Sequence, residues 1–133
     1  MAFSAVAFSP NNPRLVAGDH QGNLTIIDTK LLRLETTIPS GIPWIRSISF
    51  SPDGSFLAIG GSGHYLGWGE AVLWNFPPGQ AQAPSKVVAL HTGYVYSIAF
   101  SPSSPYLVTA SGDGKVKIWD IDGFPNWARE SIK

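Results

Sequence analysis

Three histidines, a recurring serine and a set of aromatics with one arginine are the residues here whose types and spacing suggest chemistry. His20 follows Asp19, and His64 and His91 stand far apart along the 133 residues. A zinc site needs three or four convergent ligands. These histidines do not supply such a set, so Asp19, His20 and His64 read as solvated turn residues. Ser101 and His91 are nucleophile and base types. Ser101, however, sits in a Phe-Ser-Pro tripeptide that occurs three times, which marks it as structural. Aspartates and glutamates fall in turns and strand ends, without the paired carboxylates of general acid–base catalysis. The glycine-rich stretch Ser62-Gly63-His64-Tyr65-Leu66-Gly67-Trp68-Gly69-Glu70 lacks the following helix and Lys-Ser/Thr of a phosphate cradle. The absence of cysteine excludes disulfides, thiolate nucleophiles and cysteine-ligated zinc. No enzyme, cofactor or metal is expected. What remains is binding: Trp44, Arg46, Tyr65, Trp68, Tyr94 and Tyr96 are the residue types that dominate protein interfaces.

Composition points the same way. Nine basic residues balance nine acidic ones, and the charged share is 14%, about half the usual share of roughly 25%. This leaves no electrostatic footprint for nucleic acid or an anionic membrane. No apolar run approaches the ~18 residues that span a bilayer. Met1 to Pro10 lacks the pattern of a signal peptide. A soluble, by default cytoplasmic, protein is the expectation. Eleven prolines and fourteen glycines imply many turns rather than long helices.

The elements that must position the binding residues repeat. Phe8-Ser9-Pro10, Phe50-Ser51-Pro52 and Phe100-Ser101-Pro102 lie 42 and then 50 positions apart. Each ends an alternating segment (Phe3 to Phe8, Ile45 to Phe50, Val95 to Phe100), where proline, lacking an N–H, stops the strand. Turn residues follow, then a second apolar run (Arg14 to Ala17, Phe56 to Ile59, Tyr106 to Thr109) and a third (Leu24 to Ile27, Ala71 to Trp74, Val116 to Trp119). A weaker fourth run closes each unit: Leu34 to Ile38, Lys86 to Leu90, and Trp127 to Ile132. Four antiparallel strands in about 42 residues describe one propeller blade. The expected fold is all-β, with three four-stranded blades at about residues 3–39, 40–90 and 91–132 of a single unit.

In the third unit the sequence His91-Thr-Gly-Tyr-Val-Tyr-Ser-Ile-Ala-Phe100, continuing through Leu107-Val-Thr109-Ala-Ser-Gly-Asp113 to Trp119-Asp120, resembles a WD repeat. The resemblance runs in register over nearly the whole chain. It implies a β-propeller that acts as a protein–protein interaction scaffold. It also implies a buried hydrogen-bonded tetrad of His91, Thr109, Asp113 and Trp119. The second unit departs from this pattern with Gly41, Ile59 and Asn75 at the equivalent places but keeps Trp74. The first keeps only Asp28, with Ala17, Gln21 and Ile27 replacing the others. These two units are expected to rely on packing. In such propellers the loops entering the first strand and those between the second and third share one face. That puts Trp44 and Arg46, Tyr94 and Tyr96, and the enlarged loop with Tyr65 and Trp68 on one rim.

Three blades are fewer than the 4–8 that close a propeller, and an arc leaves two apolar faces open. The favoured resolution is a two-fold symmetric homodimer forming a six-bladed ring. The alternatives are completion by another protein, a fragment of a longer propeller, or an open arc docked as a structural subunit in a large assembly. The segment Pro77 to Ser85 reads as a proline-rich loop. The tail from Phe124 completes the third blade or hooks a partner.

Overall fold

The computed structural model describes residues 2–77, 86–121 and 128–131, with backbone alone for 86–89 and 128–131. The described residues contain twelve strands and no helix. They are β1 (Phe3–Phe8), β2 (Arg14–Asp19), β3 (Asn23–Asp28), β4 (Arg33–Pro39), β5 (Trp44–Phe50), β6 (Phe56–Ser62), β7 (Gly69–Asn75), β8 (Lys86–His91), β9 (Val95–Phe100), β10 (Tyr106–Ser111), β11 (Val116–Asp120) and β12 (Ala128–Ser131). They form three antiparallel four-stranded sheets, β1-β2-β3-β4, β5-β6-β7-β8 and β9-β10-β11-β12. Most of the proline-rich loop and Trp127 lie outside the described residues.

Alternation along β6 and β7 decides how the sheets stack. Leu57, Ile59, Val72 and Trp74 point to one side, where they join Val16, Leu24, Ile26 and Ile38 of the first sheet. Ala58, Ala71 and Leu73 point to the other, against Ile98, Leu107 and Trp119 of the third. The middle sheet is thus covered on both faces, so β6 and β7 read as nearly unbroken apolar runs. At each seam a bulky row of one sheet (Phe50-Leu57-Trp74, then Phe100-Leu107-Trp119) packs in one cluster with a less bulky row of the sheet before it (Ala7-Val16-Ile26, then Ala58-Leu73).

Two glycines make these seams close. Gly18 and Gly60 hold the same register position in β2 and β6. A Cβ on Gly18 would stand 2.5 Å from Ile45 Cγ2, and one on Gly60 would stand 2.8 Å from Val95 Cγ1. The missing side chain is the socket into which the next sheet's first apolar residue sits, and both Ile45 and Val95 are fully buried.

The first strands β1, β5 and β9 lie side by side, with β5 between the other two. Serines join them. Ile98 N–H donates to Ser47 Oγ at 3.0 Å, and Phe100 N–H donates to Ser49 Oγ at 3.2 Å. The Ser4 hydroxyl donates to the Ile45 carbonyl. Groups of an edge strand that would otherwise be a template for aggregation are satisfied this way.

Among the described residues, two faces stay open. On the first sheet, Phe8, Leu15, Ile27 and Leu34 form one row across the strands, with Phe8 72% and Leu34 60% exposed. The matching rows in the other sheets, Phe50-Leu57-Trp74 and Phe100-Leu107-Trp119, each lie against the sheet before. On the far face of the third sheet, Ala99, Val108 and Ile118 form a row of smaller residues.

Candidate functional site

A β-bulge builds the rim. Ile45 pairs with Gly61 and Ser47 with Gly60, so Arg46 is the extra residue between them. In β9, Tyr96 is the extra residue between Val95 and Ser97. In β1 the same place is held by Ser4. Bulges re-aim the side chain they carry. Here they bring Arg46 and Tyr96 of successive sheets together at the entry of the first strands.

Arg46 is the centre of that group. Its Cζ lies 4.3 Å from the Trp44 ring centroid and 5.0 Å from those of Tyr94 and Tyr96. Three aromatic rings therefore surround one guanidinium, a cation–π cage closed by two sheets. The Trp44 ring also packs against His20 of the β2–β3 turn in a tilted arrangement, with centroids 4.6 Å apart, so the cluster reaches the first sheet as well. Gly61 makes room for it: a Cβ there would stand 1.9 Å from the Trp44 carbonyl oxygen. Gly112 lies beneath Tyr96.

The enlarged loop is shorter than the sequence suggested. Ser62 ends β6 and Gly69 begins β7, leaving Gly63 to Trp68 as the connection. Gly63 N–H donates to the Trp68 carbonyl and Trp68 N–H to that of Tyr65. His64 Nδ1 contacts Glu70 Oε2 at 2.8 Å, holding the loop to β7. Together with Trp44 and Tyr94 this loop frames an open groove of about 330 Å³. Tyr65 is on its wall. Trp68 is not; it meets Tyr65 edgewise at 6.0 Å from outside. Of the six rim residues, four therefore share the Arg46 cluster, Tyr65 joins by the groove, and Trp68 stands behind it.

The four residues of the buried network also meet. Trp119 Nε1–H donates to Thr109 Oγ1 at 2.9 Å. His91 Nε2 is 2.7 Å from the same oxygen, and His91 Nδ1 is 3.0 Å from Asp113 Oδ2. A carboxylate can only accept, so the imidazole proton sits on Nδ1 and Nε2 accepts from the threonine hydroxyl. Burial lowers the His91 pKa against the raising effect of Asp113. For Asp113, burial raises the pKa, but hydrogen bonds from His91, Lys115 N–H and Ser111 outweigh it and the net shift is downward. Both effects favour neutral histidine beside ionised aspartate. His91 ends β8 and pairs with Gly69, so the network ties the second sheet to the third.

The second sheet replaces the tetrad with a simpler bond. Trp74 Nε1–H donates to the Ser40 carbonyl at 3.0 Å, and Ser40 Oγ accepts from Ile42 N–H. The sequence alone pointed to packing here. A fully buried indole N–H needs an acceptor, and that requirement is the signal that could have found the bond. Among the described residues no three His, Cys, Asp or Glu side chains cluster as a metal site would require.

Face-to-face antiparallel sheets with adjacent first strands are blades of a β-propeller. The family described as WD domain, G-beta repeat matches residues 35–68 and 83–120, more than half of the chain. The chain belongs to the WD-repeat family. Each matched segment starts in or just ahead of the fourth strand of one sheet and continues into the next, the offset seen at His91. The chain is 30% identical to Protein LST8 homolog of Drosophila melanogaster over 134 residues, covering 98% of this chain and 41% of that protein. It is 32% identical to Target of rapamycin complex subunit LST8 of Mus musculus, covering 98% and 40%. With Small ribosomal subunit protein RACK1y of Oryza sativa subsp. japonica it shares 30% identity over 90% of this chain and 33% of that protein. It spans about two-fifths of the length of the LST8 relatives. The solved structure of U3-55K superposes with a TM-score of 0.82 at 17% identity, covering 99% of this chain and 39% of that one.

Proposed function

We propose that this protein is a non-catalytic interaction scaffold. Its open blade faces are covered by further blades, and its Arg46-centred rim holds a protein partner. The observation that carries this reading is the pair of unlike open faces. Large residues (Phe8, Leu15, Ile27, Leu34) stand at one end of the arc and smaller ones (Ala99, Val108, Ile118) at the other. The internal seams match large to small in the same sense, so the two ends suit a head-to-tail contact that closes into a ring. Relatives whose names call them subunits of a complex or of a ribosomal particle support a role in protein assemblies.

Two copies joined at both ends would form the six-bladed homodimer. Light scattering after size exclusion, over a dilution series, tests it. A stable mass near twice the 14.3 kDa of one chain is the expected result, and a monomer at all concentrations would overturn the dimer.

One observation favours a second reading, in which another chain completes the arc. Ala110 occupies the register position of Gly18 and Gly60. Its Cβ fills the socket into which a second copy would place Phe3, the counterpart of Ile45 and Val95. A seam between copies would then set a larger side chain on a filled socket. A different chain with a smaller residue there would meet no such obstacle.

A further inference from the structure

The Arg46 guanidinium is caged, and among the described residues it has no hydrogen-bond partner. The aromatic rings attract its charge, yet they accept none of its five N–H donors in the plane of the group. Among the described residues Arg46 Nε is buried without a hydrogen-bond partner, and Arg46 makes no ion pair. Arg14, by contrast, pairs with Glu35 at 3.0 Å. Glu70, the acid at the base of the neighbouring loop, is held by His64. The cage also fixes the guanidinium in place, which lowers the entropy lost when a planar anion meets it.

We propose that this rim is a receptor for an acidic peptide segment. A glutamate or aspartate carboxylate of the partner accepts hydrogen bonds from Arg46, and an adjoining apolar residue lies in the groove between Trp44, Tyr94 and Tyr65. The carboxylate fits because a guanidinium fork matches its two oxygens and because no acid among the described residues pairs with Arg46. A cationic ligand is disfavoured, since Arg46 itself fills the aromatic cage. This inference rests on the reading of the rim as a protein-binding surface and specifies the chemistry it recognises.

The test uses the intact chain and an immobilised set of hexapeptides combining glutamate with leucine or phenylalanine, each matched by a glutamine version. The glutamate peptides are expected to bind about tenfold more tightly than their glutamine partners, as a charge-assisted pair implies. Arg46→Gln is expected to abolish that preference, and Arg46→Lys, which keeps the charge but not the fork, to reduce it. Thermal melts confirm that each variant folds. If Arg46→Gln disrupts the rim, the Arg46→Lys result decides. Equal binding of both peptide sets by the unaltered protein would overturn the acidic-ligand inference. If that equal binding were lost in Trp44→Ala, the protein-binding rim would survive without it. Retention of neither set would overturn the inference, and so would competition by inorganic phosphate strong enough to match the peptides.

Discussion

Thr109 holds two partners with one hydroxyl, accepting from the Trp119 indole and donating to His91. Removing it leaves two buried polar groups unpaired. Thr109→Val is therefore expected to cost about 2–3 kcal/mol, read as a lower denaturation midpoint with an unchanged slope, whereas Thr109→Ser keeps most of the stability. The same network carries a pH dependence. His91 and Asp113 both have lowered pKa values when folded, so the unfolded chain binds more protons and stability falls as pH falls. The histidine contribution is complete above the ordinary imidazole value of about 6.5 and is lost as pH drops through the lower folded value. The aspartate contribution disappears below about 3.9. Melting temperatures measured from neutral to mildly acid pH are expected to decline, and His91→Gln is expected to flatten the upper part of that decline.

At the scale of the element, glycines and bulges do the positioning. Gly61 in β6 lies under the Trp44 carbonyl, a backbone atom that cannot swing away. Gly61→Ala is expected to destabilise the fold by about 1–3 kcal/mol through overpacking and to change the tryptophan emission as Trp44 shifts. The strands themselves were readable from the recurring Phe-Ser-Pro stops and the alternation before them, because a proline after a pleated run leaves few other local solutions. The bulges at Arg46 and Tyr96 were not readable. A bulge is one extra residue relative to a partner strand, and the register of that partner is a tertiary fact. The loop of Gly63 to Trp68 was overestimated for a similar reason: Ser62, Gly69 and Glu70 look like loop residues, yet they pair across β6 and β7.

For the whole molecule, the open faces govern behaviour. If two copies close the ring, the obstacle is Phe3 against Ala110. Ala110→Gly is then expected to strengthen self-association, with the doubled mass persisting to lower concentration in light scattering. If another chain completes the arc, the variant leaves the chain's own mass unchanged. The rim would extend across whichever blades are added, since its side chains already come from successive sheets.

From residue types and spacing came the all-β class and the three four-stranded units, and the resemblance to WD repeats then implied the four residues of the network and a shared face for the rim loops. These are recoverable because strand alternation and turn chemistry are local, and because a repeat states its rule more than once. The cage around Arg46, the seating of Ile45 on Gly18 and Val95 on Gly60, the Trp74–Ser40 bond and the bridging of two sheets by His91 were decided only by tertiary structure. Each depends on contacts between sheets, and the stacking of one sheet on another follows from the joint shape of two surfaces that no single segment encodes.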